Sequence, residues 1–252
     1  MINFGVGKLI ATPTNDSTGA AISNPTPVIL GTMQDVGVDL SVEMKTLYGS
    51  KRYPIAVGQG RGKIEIKAKY ADIDGGVLGQ LFMGKAGTTG IKAAALDTVA
   101  TIPTTPFQIT VTPPSSGTYV ADLGVFDVAT GSQLKRVASA PSAGQYSVNT
   151  GTGVYTFNTG DSGKSVAISY EYSAASGGSY WAMTNDVMGY TPAFSLLLQN
   201  TYLSKTMVMK LNSCVSGKLN VPLKSDDFAV YDFEAEAFAD AAGSLGYVCM
   251  FP

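Results

Sequence analysis

Apolar side chains recur at every second position in several short runs: Ile64, Ile66, Ala68 and Tyr70; Phe107, Ile109 and Val111; Val166, Ile168, Tyr170 and Tyr172. Successive side chains of a strand point to opposite faces, so each run predicts a strand with one apolar and one polar face. Phe194, Leu196, Leu198 and Met207, Met209, Leu211 repeat the pattern, and the stretch from Asn200 to Lys205 between them predicts a hairpin turn. Asn149-Thr150-Gly151-Thr152-Gly153 separates Tyr146 and Val148 from Tyr155 and Phe157 in the same way. With glycine and proline spread along the chain as breakers, the fold is predicted to be mostly β. The period changes once. After Asp72, a plausible N-cap, the apolar residues Ile73, Val77, Leu78, Leu81 and Phe82 keep helical spacing until Gly84, which predicts one short flanking α-helix. Gly75, Gly76 and Gly79 each disfavour it by about 1 kcal/mol relative to alanine, so packing has to hold it. Ile91 to Val99 is a second helical candidate.

Residues 1–30, with Pro13, Pro25, Pro27 and many Ser, Thr and Asn, carry no strong period and read as an extended N-terminal arm. Two low-charge stretches, 85–103 and 173–179, bracket a β-rich block at 104–172. The block reads as an insertion into a main β domain made of 31–103 and 173–252. At about 70 residues it is near the lower limit for a core of its own, which leaves a small sandwich or an extension of the main sheet.

Composition narrows the chemistry. Of 252 residues 45% are hydrophobic and only 14% charged, against about a quarter charged in ordinary soluble chains. Much of the surface is therefore covered by Ser, Thr, Gly and Asn or by partners. A formal net charge of -2 offers no global field for holding nucleic acid or an acidic membrane. The chain has no histidine, which excludes Ser-His-Asp and Cys-His catalysis and the usual histidine-bearing zinc and iron sites. Cys214 and Cys249 are too few for a four-thiolate site and are expected as free thiols. The start Met1 to Lys8 lacks a basic region followed by an apolar stretch, and no apolar run reaches roughly 18 residues, so a soluble protein made in the cytosol is expected. The carboxylates form no recognisable acid/base pair. Gly58-Gln59-Gly60-Arg61-Gly62-Lys63 lacks the spacing of a phosphate loop and leads into a strand. Asn15-Asp16-Ser17 and Asn185-Asp186 fall short of a calcium loop and read as turns. No enzyme activity, cofactor or metal is predicted.

Two strand faces carry charge. Lys63, Glu65, Lys67 and Lys69 lie opposite the apolar face of the strand at 64–70, with Lys51, Arg52 and Arg61 nearby. Asp232, Glu234 and Glu236 alternate with Phe233, Ala235 and Ala237, which puts three carboxylates on one face. These are either solvated faces and cross-strand partners of the lysines, or a surface that repels a passing polyanion. The segment Leu47 to Gly62 is long and glycine-rich yet carries Tyr48, Lys51, Arg52, Tyr53 and Arg61. Tyrosine and arginine favour interfaces, so it reads as an arm that packs on a neighbouring subunit or as a mobile surface loop.

Several runs in order resemble structural proteins of tailed bacteriophages: Gly31-Thr32-Met33-Gln34-Asp35-Val36-Gly37-Val38-Asp39-Leu40, then Leu47-Tyr48-Gly49 with Tyr53-Pro54-Ile55-Ala56-Val57, then Gly60-Arg61-Gly62-Lys63. Ala121-Asp122-Leu123-Gly124-Val125, Arg136-Val137-Ala138-Ser139, Gly144-Gln145-Tyr146 and Gly153-Val154-Tyr155-Thr156-Phe157 look like the β-rich block of such proteins. Asp226-Asp227-Phe228 through Phe233-Glu234-Ala235 to Phe238-Ala239-Asp240-Ala241-Ala242-Gly243 is similar to the closing strand of major tail, or tail tube, proteins. The resemblance implies a β-sandwich of tail-tube type with a flanking helix and an Ig-like insertion, forming rings, commonly hexameric, that stack into a tube through which DNA is ejected. It implies residence in the virion tail after assembly in the host cytoplasm, other tail proteins (initiator, terminator, tape measure or sheath) as partners, and no membrane. On that reading Tyr48, Lys51, Arg52, Tyr53 and Arg61 belong to the ring-stacking loop, 1–30 to an inter-ring arm, and Asp232, Glu234 and Glu236 to the lumen. Lys63, Lys67 and Lys69 would meet acidic groups of a neighbouring subunit. The alternative is a capsid decoration or virion surface protein whose Ig-like block binds the shell or a host glycan.

Overall fold

The computed structural model describes residues 5–72 and 75–252 and is mostly β. The chain forms two compact units, Met1–Gly87 with Trp181–Pro252, and Thr88–Tyr180. The first unit holds β1 (Lys8–Asn15), β2 (Val28–Leu30), β3 (Met33–Tyr48) and β4 (Pro54–Tyr70), then a π-helical segment, Val77–Phe82. The second unit holds β5 (Thr88–Thr101), β6 (Gln108–Thr110), β7 (Thr118–Asp127), β8 (Lys135–Arg136), β9 (Gln145–Asn149), β10 (Val154–Phe157) and β11 (Ser165–Tyr180). The chain returns to the first unit with β12 (Ala193–Tyr202), β13 (Lys205–Asn220), β14 (Tyr231–Phe238) and β15 (Gly246–Phe251).

The first unit is one sheet in the order β2-β1-β12-β13-β14-β4-β3, with β15 also paired to β13. Its core gathers the apolar faces that the period-two runs announce: Ile66, Ala68 and Tyr70 of β4, Phe194, Leu196 and Leu198 of β12, and Phe233 and Ala235 of β14. Leu30 from β2 and Ile66 from β4 belong to the same cluster although their strands lie near opposite ends of the sheet, so the sheet curls around its core. Burying each isoleucine, leucine or phenylalanine side chain among them contributes about 1.5 to 3 kcal/mol. The second unit is sandwich-like: a four-stranded sheet β6-β10-β9-β8 and a three-stranded sheet β5-β11-β7 share a core of Tyr119, Val125, Tyr146, Tyr155, Phe157, Val166, Ile168 and Tyr170.

Four expectations change. The first thirty residues are not a free arm, because β1 pairs with β12 from Lys8 to Asn15, and Leu9 and Ala11 are fully buried. That pairing joins segments nearly two hundred residues apart, and Leu9, Ala11 and Val28, Leu30 are alternations too short to announce it. Ile91 to Val99 is strand β5, not helix: its alanines favour a helix locally, but pairing with β11 along most of its length overrides propensity. The second unit consequently begins at Thr88 and ends at Tyr180, wider than 104–172. The predicted α-helix is π-helical, with Met83 N–H donating to the Leu78 carbonyl at 3.2 Å; Ile73 lies outside the described residues. Trp181 explains its glycines. The indole lies against Gly75, Gly79 and Gly87, and a methyl group on Gly75 or Gly79 would overlap it. Having little helical preference of its own, the segment follows the path that the tryptophan sets.

Candidate functional site

The two charged ladders lie on one face of one sheet. Antiparallel partners share a face, and the register runs Asp35–Lys69–Asp232, Gly37–Lys67–Glu234 and Asp39–Glu65–Glu236 across β3, β4 and β14. Lys218 of β13 joins beside Glu234. The opposite face of the same strands carries Val36, Ala68 and Phe233, then Val38, Ile66 and Ala235, packed on the core. Hydrophobic alternation thus orients the charges outward.

The ion pairs are within the chain. Lys63 Nζ reaches Glu65 at 2.5 Å and Glu236 at 3.4 Å, Lys67 Nζ reaches Glu65 at 3.4 Å and Asp39 at 3.6 Å, and Lys218 Nζ reaches Glu234 at 3.0 Å. Hydrogen bonds from Lys63 and Lys67 hold the Glu65 carboxyl below its usual range, and hydrogen bonding to Glu65 raises both lysines. Lys63 and Lys67 therefore find counter-charges without a neighbouring subunit, and Lys69 lies in register between Asp35 and Asp232. Exposed pairs of this kind add little stability; what they set is the pattern of charge. Asp35, Asp39, Glu65, Asp232, Glu234 and Glu236 outnumber Lys63, Lys67, Lys69 and Lys218. Sequence reading missed Asp35, Asp39 and Lys218, although Asp35 and Asp39 alternate visibly with Val36 and Val38.

The segment Leu47 to Gly62 is not a loop. β3 and β4 pair from Met33–Tyr70 to Tyr48–Pro54 and form a long hairpin, with Lys51, Arg52 and Tyr53 at its tip, Tyr48 at the end of β3 and Arg61 on β4. All residues from Asp39 to Lys63 are exposed. Backbone pairing explains why a glycine-rich run holds an extended path, with an irregularity between the Val42–Gly62 and Met44–Gln59 pairs. Leu40, Val42, Met44, Leu47, Tyr48, Tyr53, Ile55 and Val57 are large apolar side chains with at least 46% of their surface exposed. These side chains are spread along both strands of the hairpin's outer half. Other exposed apolar groups are Met183, Val187, Met188 and Tyr190 between β11 and β12, and Leu223 and Phe228 between β13 and β14.

Both cysteines are free, Cys214 buried and Cys249 exposed on β15; burial pushes the Cys214 thiol up to about 12. Asp16 and Asp240 organise turns: Asp16 accepts from the Thr18 and Ala20 amides, and Asp240 from the Ala242 and Ser244 amides. No group of His, Cys, Asp and Glu among the described residues could hold a metal ion. No helix among them is long and apolar enough to cross a membrane.

No family model matches the chain, and no curated protein matches it either.

Proposed function

We propose that the protein is a structural subunit that assembles with copies of itself into stacked rings, forming the tail tube of a bacteriophage and a conduit for DNA. The observation that carries this reading is the projecting hairpin, whose outer half is exposed on every residue and rich in large apolar side chains. A monomer gains nothing from such an element, whereas an assembly of copies buries it. The order of sequence runs resembling tail tube proteins points the same way. The charged face suits a wall along which DNA passes: its lysines are interleaved with a larger number of carboxylates, so a phosphate backbone meets no run of unpaired cations. Few phosphate contacts keep the hold of such a wall on DNA weak, because it is many such contacts that make binding strong and salt-dependent.

Negative-stain electron microscopy with light scattering on the purified chain tests the reading. Rings or hollow tubes are expected. A monodisperse monomer or trimer that persists at high concentration, and after addition of tail initiator components, would replace it with a decoration or surface-binding role.

A further inference from the structure

The sheet of the first unit forks. β13 carries β12 on one side along Lys205–Cys214; on its other side β14 pairs with Ser213–Asn220 and β15 with Thr206–Leu211. β14 and β15 are thus successive pieces of one line, interrupted by the turn at 239–245, which Asp240 and Asn212 pin through Ala242, Ser244 and Leu245. β4 follows β14 only from Tyr70 back to Ile64, opposite Ala237, and then leaves with the hairpin. Among the described residues β15 consequently has a strand on one side only. Its outer edge offers unpaired N–H and C=O groups, and all six of its residues, Gly246-Tyr247-Val248-Cys249-Met250-Phe251, are exposed without a charge or a proline among them.

Edges left in this state are templates for another strand. Among the described residues the same sheet has two other edges. The β2 edge is blunted in the usual ways: three residues long, with Pro25 and Pro27 just before it. The β3 edge is sixteen residues long, free of proline, and carries Leu40, Val42 and Met44 exposed. We propose that the outer edge of β15 receives the outer half of β3 from a second copy of the chain by backbone pairing. An isologous β15–β15 contact would leave both β3 edges open in the dimer. The β3–β15 contact covers both kinds of edge, and being head-to-tail it propagates until a ring closes. This inference rests on the self-assembly reading and specifies the surfaces that carry it.

Cys249 supplies the probe, since the other thiol, Cys214, is buried. The first measurement is maleimide labelling of the unaltered full-length chain, assembled and dissociated; assembly is expected to slow labelling at Cys249 at least about tenfold. The second is oxidation of assemblies carrying Leu40→Cys, Ser41→Cys or Val42→Cys, three successive positions on β3. At least one is expected to give a disulfide-linked ladder of subunits through Cys249, and Ile29→Cys on β2 none. Rings in which Cys249 labels as fast as in the free chain, or in which only Ile29→Cys cross-links, overturn this edge pairing and leave self-assembly standing. A chain that never assembles overturns both.

Discussion

At the scale of single residues, Tyr70 shows what burial does to a polar group at the end of an apolar stripe. Its ring is fully buried and stacks on Tyr231 at 5.6 Å between centroids, yet its hydroxyl has no hydrogen-bond partner among the described residues. Desolvation raises its pKa from 10.0 to about 12. A group whose folded pKa lies above its unfolded value stabilises the fold fully below the unfolded pKa and loses that contribution as pH rises toward the folded one. Stability is therefore expected to fall between pH 10 and about 12. Because an orphaned buried hydroxyl is unfavourable by about 1 to 3 kcal/mol, Tyr70→Phe should leave stability unchanged or raise it by about 1 kcal/mol at neutral pH and flatten the alkaline loss. Urea unfolding at a series of pH values checks both; a large loss at neutral pH would mean that the hydroxyl has a partner. In the second unit Tyr146 and Tyr155 are treated differently: both hydroxyls donate to the buried carboxylate of Asp122, at 2.8 and 2.9 Å, and Arg136 lies 3.5 Å from the same group. There burial pushes both phenols up, followed by the hydrogen bond to Asp122 for Tyr146 and by a hydrogen bond with Tyr119 and then the negative charge of Asp122 for Tyr155.

At the scale of elements, the π-helical segment and Trp181 form a mutual fit. Alanine at an exposed helix position would favour the helix by about 1 kcal/mol relative to glycine. At Gly79 the added methyl meets the indole ring, and overpacking of this kind destabilises by about 1 to 3 kcal/mol. Gly79→Ala is expected to lower stability by about 2 kcal/mol and to shift the fluorescence of Trp181, the only tryptophan. A gain in stability would show that propensity wins and that the tryptophan is not held in a glycine cradle. The rule that glycine weakens helices is sound, and it still misjudges this segment because the partner lies about a hundred positions downstream. The turn between β12 and β13 teaches the reverse: polar residues between two alternating runs announce a hairpin, and Leu203 and Ser204 form it with φ of 49° and 61°, a conformation that pairs well with strand twist.

At the scale of the whole molecule, the second unit begins and ends as neighbouring strands, with Tyr180 paired to Thr88. Both chain crossings therefore lie side by side, and the unit has its own core. A fragment of residues 88–180 is expected to fold alone with one cooperative transition by circular dichroism, whereas 104–172 should not, since it lacks β5 and the end of β11. Failure of 88–180 to fold would mean that its core depends on the first unit.

What the sequence by itself determined is local. Period-two alternation along 64–70, 166–172, 194–198 and 232–237 decides that these segments are strands and which side faces the core, because a strand's two faces are written at adjacent positions. The charges at Lys63, Lys67, Lys69, Asp232, Glu234 and Glu236 are outward for the same reason. Only the tertiary structure decided which strands are neighbours, and with it everything that depends on register. Pairing with β12 turns the expected arm into β1, pairing with β11 turns a helical candidate into β5, and pairing of β3 with β4 turns a loop into a hairpin. The same register places acidic and basic ladders, more than 160 residues apart in the chain, within ion-pair distance. Backbone hydrogen bonds between strands carry no side-chain signature, so the choice of partner is made by the fit of whole faces against one core.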